Sequence, residues 1–344
     1  MNDTFLKACR REPVQHTPVW LMRQAGRYMA TYRALRARYS ILELIKNPEL
    51  AVEVTMQPVD AYPLDAAIIF ADILTLPEAM GLKLEFIENK GPVIHNPLRT
   101  EEDIQRLTPI EPREALSFTM DAVRLASETL KDRIPLIGFS GAPFTMACYA
   151  IEGGSSQNFI KAKSWMHADE KSWHHMMHIL AEAAGQYLAA QLEAGASAVQ
   201  VFDSWAGILS PRDYKRYVLP HTQRTIALAK EIKPDAPVIH FGTDTATLLP
   251  LIRESGADVI GLDWRVNLAE AWDELGPEFA VQGNLDPVIL FSEPEVICAE
   301  TSALLKSVKD RPGYIFNLGH GVLQHTPESH VGALVDFVHS FNPS

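Results

Sequence analysis

The chain has 344 residues, of which 47% are hydrophobic and 22% charged. That balance suits an ordinary globular protein able to bury a core without disulfides or structural metal. Its three cysteines, Cys9, Cys148 and Cys298, are far apart and never form a Cys-x-x-Cys pair, so neither a disulfide framework nor a zinc ribbon is indicated.

The net charge is −12, but residues 1–46 hold nine bases against three acids, a net +6, while the other 298 residues carry −18. This asymmetry points to attraction of an anion by one end of an acidic protein, against the plainer reading of a solvated basic face. Arg23 and Arg27 lie in MRQAGRYM, a stretch with glycine and an aromatic, unlike a lysine-rich tail. The acidic remainder argues against a nucleic-acid partner. The N-terminus lacks the apolar run of a signal peptide and nothing approaches a membrane span, so the expectation is a cytoplasmic protein with no membrane partner.

Short apolar or β-branched runs recur at 17–21, 65–71, 133–139, 196–203, 237–241, 257–263, 279–284 and 313–318. Near-continuous apolar runs suit parallel strands covered on both faces. Helical stretches lie between them. Ser40 with Glu43 forms a capping-box pattern, and Asn47-Pro48 reads as a cap followed by proline at the first helical position. Gly195 and Gly256 are placed to end helices just before strands. Residues 82–95 read as a hairpin, and 142–195 as one unusually long connection. Eight alternating units without a linker predict one domain over 1–344, a (β/α)8 TIM barrel.

Chemistry in such barrels sits at the C-terminal ends of the strands. Those ends carry Arg23 and Arg27, Asp72, Tyr149, Ser204, His240, Asp263, Asn284 and His320. There is no GxGxxG after a strand, and GFSGAPF lacks the lysine of a P-loop. No His-x-His or His-x-Cys ligand pattern appears. His174, His175 and His178 read as surface or helix-packing residues rather than ligands. What is present is a pair of arginines suited to planar carboxylates, a lone Asp72, a tyrosine, a hydroxyl and a histidine. Asp72 is open to two readings, a helix cap or an anion that stabilises a cation forming on the substrate. His320 is likewise open, as a rim residue or a general acid. Met22, Ile68, Phe70 and Phe202 are candidates for an apolar floor.

PVWLMRQAGRY at 18–28 resembles the N-terminal signature of the uroporphyrinogen decarboxylase family. GFSGAPFT at 138–145 with Tyr149 and Glu152-Gly153-Gly154, PLDAAIIFADIL at 63–74, and FNLGHGV at 316–322 are also similar to that family. The resemblance runs from about residue 4 to residue 340; Phe144, where the family often has Trp, departs from it. The resemblance implies cofactor-independent loss of the four acetate carboxyls of uroporphyrinogen III, giving coproporphyrinogen III in porphyrin and haem biosynthesis. It implies Asp72, Arg23 and Arg27 as the catalytic group. It implies a substrate site of Arg23, Gln24, Ala25, Gly26, Arg27, Asp72, Tyr149, Ser204 and His320, with Arg36 a further candidate. No cofactor or metal is implied; the partners are a polycarboxylate tetrapyrrole and a second copy in a homodimer. The rivals are a zinc-dependent methyltransferase on a related barrel and a non-catalytic tetrapyrrole-binding protein.

Overall fold

The computed structural model describes residues 2–88, 90–309 and 311–341. Among the described residues nine strands form: β1 (Ala67–Ile68), β2 (Leu84–Ile87), β3 (Gly91–Ile94), β4 (Leu136–Gly141), β5 (Ala198–Asp203), β6 (Val238–Gly242), β7 (Val259–Gly261), β8 (Ala280–Gln282) and β9 (Tyr314–Ile315). β2 and β3 make the hairpin expected over 82–95. The other seven form one parallel sheet in the order β1-β4-β5-β6-β7-β8-β9, with helices in the connections. The capping box at Ser40, the Asn47 cap and the positive φ of Gly195 and Gly256 all appear as the sequence predicts.

The eighth stave is the one that departs from expectation. Residues 17–21 form no regular strand; Val19 makes a single parallel bridge to Phe316. The N–H of Phe316 donates to the Pro18 carbonyl at 2.9 Å, and on the other side Asp65 N–H donates to the Val19 carbonyl at 2.9 Å. The circle therefore closes, but Pro18 has no N–H to extend the ladder. The second expected strand, 65–71, also shrinks, to Ala67–Ile68. Its next bond, Ile69 N to Ile137 O, is made, but Phe70 N turns away to the Thr55 hydroxyl at 2.9 Å. These two short staves make a weak seam.

Side chains alternate between the inside of the barrel and the helix layer. Trp20, Met22, Ala66, Ile137, Ala198, Ile239, Phe241, Val259, Ala280 and Ile315 form one apolar cluster with Phe5, Leu6, Ala8 and Cys9 of the helix Thr4–Cys9. That helix plugs the N-terminal end of the barrel. A polar chain crosses the interior: Trp20 Nε1 donates to Gln282 Oε1 at 2.8 Å, and Gln282 Nε2 donates to Gln200 Oε1 at 3.1 Å. A second, larger cluster packs the helices against the outer face of the sheet.

The long helix Glu170–Ala194 is fixed to β4 by one side chain. Gln191 Oε1 accepts from Phe139 N and its Nε2 donates to Phe139 O, both at 2.9 Å. A Cβ on Gly138 would lie 2.7 Å from Gln191 Oε1, so only glycine leaves room for this clamp. β4 is thus held in register where it hands over to the helix Pro143–Glu152. Among the described residues no helix is long and apolar enough to cross a membrane.

Asp65, a buried residue just before β1, secures the weak seam. Its Oδ1 accepts from Asn2 Nδ2 at 2.8 Å and pairs with His16 Nε2 at 3.0 Å. Its Oδ2 accepts from Val19 N at 2.8 Å and pairs with His339 Nε2 at 2.7 Å. His339 belongs to the C-terminal helix Glu328–Ser340, so one carboxylate ties the N-terminal segment, the short stave and the last helix together. Burial pushes its pKa up, but the bonds from His339, His16 and Val19 outweigh that and hold it below the usual carboxylate range. Its contribution to stability is therefore complete above the unfolded carboxylate value and disappears as pH falls through the lower, folded value. Asp65→Ala is expected to lower the unfolding free energy by about 3 kcal/mol, because four donors lose a buried acceptor. Urea titration should show a lower midpoint with an unchanged slope; an unaltered midpoint would remove the clasp from the account.

Candidate active site

Arg23 is the hub of the barrel mouth. It sits in the loop after the short stave, exposed, with a left-handed φ of 57° that costs a non-glycine residue about 1 kcal/mol or more. Gln24 holds this loop in shape. Its Oε1 accepts from Leu21 N at 3.1 Å, its Nε2 donates to Ala66 O at 3.3 Å, and its carbonyl accepts from the Tyr28 hydroxyl at 2.7 Å. The side chain of Gln24 is buried and engaged with the protein, so it supports the loop and does not face the mouth. Ala25 and Gly26 are half-buried beside it, and Arg27 is exposed. Among the described residues neither Arg23 nor Arg27 forms a salt bridge, whereas Arg265 pairs with both Asp244 and Asp263.

Asp72 follows β1 and answers both readings of it. Its Oδ1 accepts from Leu74 N at 2.8 Å, and its carbonyl accepts from the Thr75 hydroxyl at 2.8 Å, which starts the helix Thr75–Ala79. Oδ2 has no hydrogen-bond partner among the described residues. Desolvation pushes the carboxyl up to about 6, against the Leu74 N–H bond and the charge of Arg23, which both pull it down. One oxygen caps; the other is free for a ligand.

Tyr149, from the helix Pro143–Glu152, feels the same charges. Burial and the Asp72 carboxylate push its hydroxyl up to about 12, with Arg23 opposing. Its ring lies 5.9 Å from that of Trp205, the residue after Ser204. Ser204 is half-buried just past β5, and its carbonyl accepts from the Thr243 hydroxyl at 2.6 Å. Thr145 joins the two elements, donating to Asp203 Oδ1 at 3.0 Å and accepting from Trp205 N at 3.4 Å. His320, after β9, is lowered to about 4 by burial and by the positive charges of Arg23 and Arg265. It is therefore neutral at pH 7, which makes it a hydrogen-bonding group and a poor proton reservoir. Asp72, Tyr149 and His320 thus all register the charge of Arg23.

Other strand-end residues are not in the mouth. His240 alternates with Ile239 and Phe241, which face the interior, so it points into the helix layer. There it is buried, 3.7 Å from Asp203, with neither ring nitrogen hydrogen-bonded. Asn284 Nδ2 donates to the carbonyls of Asp263 and Val266, and Asp263 holds Asp244 N and Arg265; both residues shape loops. Met22, Ile68 and Phe202 do pack at the interior cluster, but Phe70 packs with the outer one, edge-on to Tyr32. Nor does the basic N-terminal segment converge on one pocket. Arg10 and Arg11 line a groove at the opposite end with Asp235, Asp258 and Glu278. Lys7 and Lys46 pair with Asp3 and Glu78, and Arg33 and Arg36 donate to backbone carbonyls.

Sequence reasoning missed Trp264 and Arg265. The Arg265 guanidinium stacks 4.0 Å over Trp264, whose ring meets that of His320 edge-on at 6.2 Å. The aromatic-then-arginine dipeptide after an apolar strand ending in Asp263 was the available signal. His174 packs as expected, 2.8 Å from His221 and stacked on Tyr217. Among the described residues the one group whose donor atoms could gather round a metal ion is His16, Asp65 and His339, which lies at the seam and is joined by hydrogen bonds. Cys9 is in the barrel plug and Cys148 is buried in its helix, so the paired thiolates of a zinc methyltransferase do not converge at the mouth.

Solved structures share the fold over most of the chain. A methyltransferase from Methanosarcina mazei superposes with a TM-score of 0.80 over 98% of this chain and 97% of that one, at 19% identity. A B12-independent methionine synthase from Shewanella gives 0.53 over 86% and 89%, at 13% identity. At such identities only the barrel is shared. Sequence relatives are far nearer. A uroporphyrinogen decarboxylase of Chloroflexus aggregans is 53% identical over 99% of this chain and 96% of its own length. That of Carboxydothermus hydrogenoformans is 52% identical over 99% and 97%. The uroporphyrinogen decarboxylase (URO-D) family profile matches residues 1–341, and the chain belongs to that family.

Proposed function

We propose that this chain is a carboxy-lyase that removes the four acetate carboxyls of uroporphyrinogen III, giving coproporphyrinogen III without a cofactor. The observation that carries the reading is the free oxygen of Asp72, which feels the charge of an arginine without a salt bridge in the mouth of a barrel of this family. The reading places the enzyme in the cytoplasm, in porphyrin biosynthesis, as a homodimer.

Each step replaces a CH₂–COO⁻ group by CH₃ and CO₂, consuming one proton. A proton added to the pyrrole ring makes it cationic. The C–C bond to the carboxylate then breaks, and its electron pair flows into the ring. The exocyclic carbon takes up a proton to become methyl, and the ring proton departs. Charge therefore develops on the pyrrole, where the free oxygen of Asp72 accepts from the pyrrole N–H groups and opposes it. An ion pair at about 4 Å and an effective dielectric near 20 is worth about 4 kcal/mol. Enzymes commonly lower barriers by roughly 8–23 kcal/mol, so positioning and the preorganised field of the mouth must supply the rest.

Arg23 and Arg27 hold substrate carboxylates, which suits guanidinium groups without protein acid partners. The backbone of Gln24, Ala25 and Gly26 shapes the rim, and Tyr149, Ser204 and His320 donate hydrogen bonds. Met22, Ile68 and Phe202 give the macrocycle an apolar floor. Desolvation of Asp72 without a salt bridge weakens the case for a purely binding protein. A binding site for a polyanion gains nothing from a half-buried acid whose pKa is raised by desolvation, whereas a site that stabilises a transient cation does.

Anaerobic incubation with uroporphyrinogen should yield products with seven, six, five and finally four carboxyls. Unchanged octacarboxylate would overturn the reading. Asp72→Asn is expected to keep binding within about threefold and to lower turnover by at least about a hundredfold, with no loss of thermal stability because a desolvated charge is removed. Near-normal turnover would refute the role of Asp72. In the unmodified enzyme, kcat/KM should fall on the acid side with an apparent pKa near 6, since protonated Asp72 cannot oppose the ring cation. A profile flat down to pH 5 would count against it.

A further inference from the structure

Gly321 lies where the loop after β9 meets the arginine loop. A Cβ placed on it would stand 2.4 Å from Cδ, 2.6 Å from Cγ and 3.0 Å from Cβ of Arg23. These atoms are the root of the arginine side chain and not its mobile tip, so the whole side chain would have to swing. The two loops cannot slide apart freely. Val322 N donates to Met22 O at 2.9 Å, and Met22 N donates to Asn317 Oδ1 at 3.0 Å. The far side is closed too, since a Cβ on Gly319 would lie 2.3 Å from Trp264 N. Gly321 has no left-handed φ, so its backbone does not require glycine. Space for the Arg23 stem is what requires it.

We propose that Gly321 is a positioning residue: it seats the Arg23 side chain against the loop after β9, so that the guanidinium faces the mouth and meets a substrate carboxylate with no protein acid in competition. The inference rests on the decarboxylase reading for its substrate, but the seat is a property of the loop pair. It also accounts for the left-handed backbone of Arg23, which aims the stem at residue 321.

A double-mutant cycle tests it, using Gly321→Ala and Arg23→Ala in the full chain. Binding of uroporphyrin, the oxidised octacarboxylate, is followed by tryptophan fluorescence, and turnover of uroporphyrinogen is followed separately. Gly321→Ala alone is expected to weaken binding and raise KM by about tenfold, with kcat changed less than about threefold. In the Arg23→Ala background the same substitution should change binding by less than about twofold, because the Cγ and Cδ atoms it collides with are gone and only the Cβ contact at 3.0 Å remains. Equal losses in both backgrounds, or no loss in either, would overturn the proposal. Should Gly321→Ala fail to fold while the double variant folds, that rescue is the predicted coupling. If both fail and Arg23→Ala folds, the collision lies in the backbone and the proposal is wrong. Wild-type binding without CO₂ release would sink the decarboxylase reading, yet the cycle would still be read in binding.

Discussion

Closure of the barrel at its thinnest seam is the constraint on which the site depends. Seven strands pair in sequence order, but the eighth stave contributes one bridge, because Pro18 cannot donate. The mouth residues straddle this seam. Arg23 follows the short stave, Asp72 follows the two-residue β1 on one side, and Gly321 and His320 follow β9 on the other. A shift of the stave by even a fraction of an ångström would move Arg23 relative to both. Side chains do what the ladder cannot: Asp65 holds Val19, Gln24 holds Leu21 and Ala66, and Asn317 holds Met22.

The electrostatics of the mouth follow from how few charges are present and how little they are paired. Four bases of the N-terminal segment are paired with surface acids or turned to carbonyls, and two lie at the opposite end. Arg23 keeps its charge available, and Asp72, Tyr149 and His320 each register it. A ligand carboxylate arriving at Arg23 would screen that charge and make His320 easier to protonate. The site therefore changes its own proton affinities as it fills.

Much of the architecture was legible in the sequence because it rests on local signals. Apolar runs gave the staves, Ser40 and Asn47 gave helix starts, and Gly195 and Gly256 gave helix ends. The first two staves were overestimated because apolar pattern cannot show that Pro18 withholds a donor where the ladder needs one, or that Thr55 captures Phe70. Among site residues, Arg23, Asp72, Tyr149 and His320 come together, whereas His240 faces away. The parity that decides this was present in the alternation Ile239-His240-Phe241, but a fully apolar parallel strand offers no polar face to read it against. Gln24 shows another limit. A polar residue in a binding loop looks like a ligand contact until its partners, Leu21 and Ala66, are known. The seating of Arg23 on Gly321 joins residues almost 300 positions apart and has no local signature at all.

Asp65 and Asp72 are the same residue type on either side of one short strand, yet their surroundings set them opposite tasks. Asp65 is surrounded by two backbone or amide donors and two imidazoles, so its charge is fully compensated and its pKa falls. Asp72 receives one N–H bond and the pull of the Arg23 charge, so desolvation prevails and its pKa rises. A carboxylate satisfied on every lone pair can only hold structure together. One left with a bare oxygen carries a standing penalty that the fold tolerates, and on the proposed reading a cation forming on a bound ring relieves it. The difference between the clasp and the proposed catalytic carboxylate is the number of donors each finds within reach.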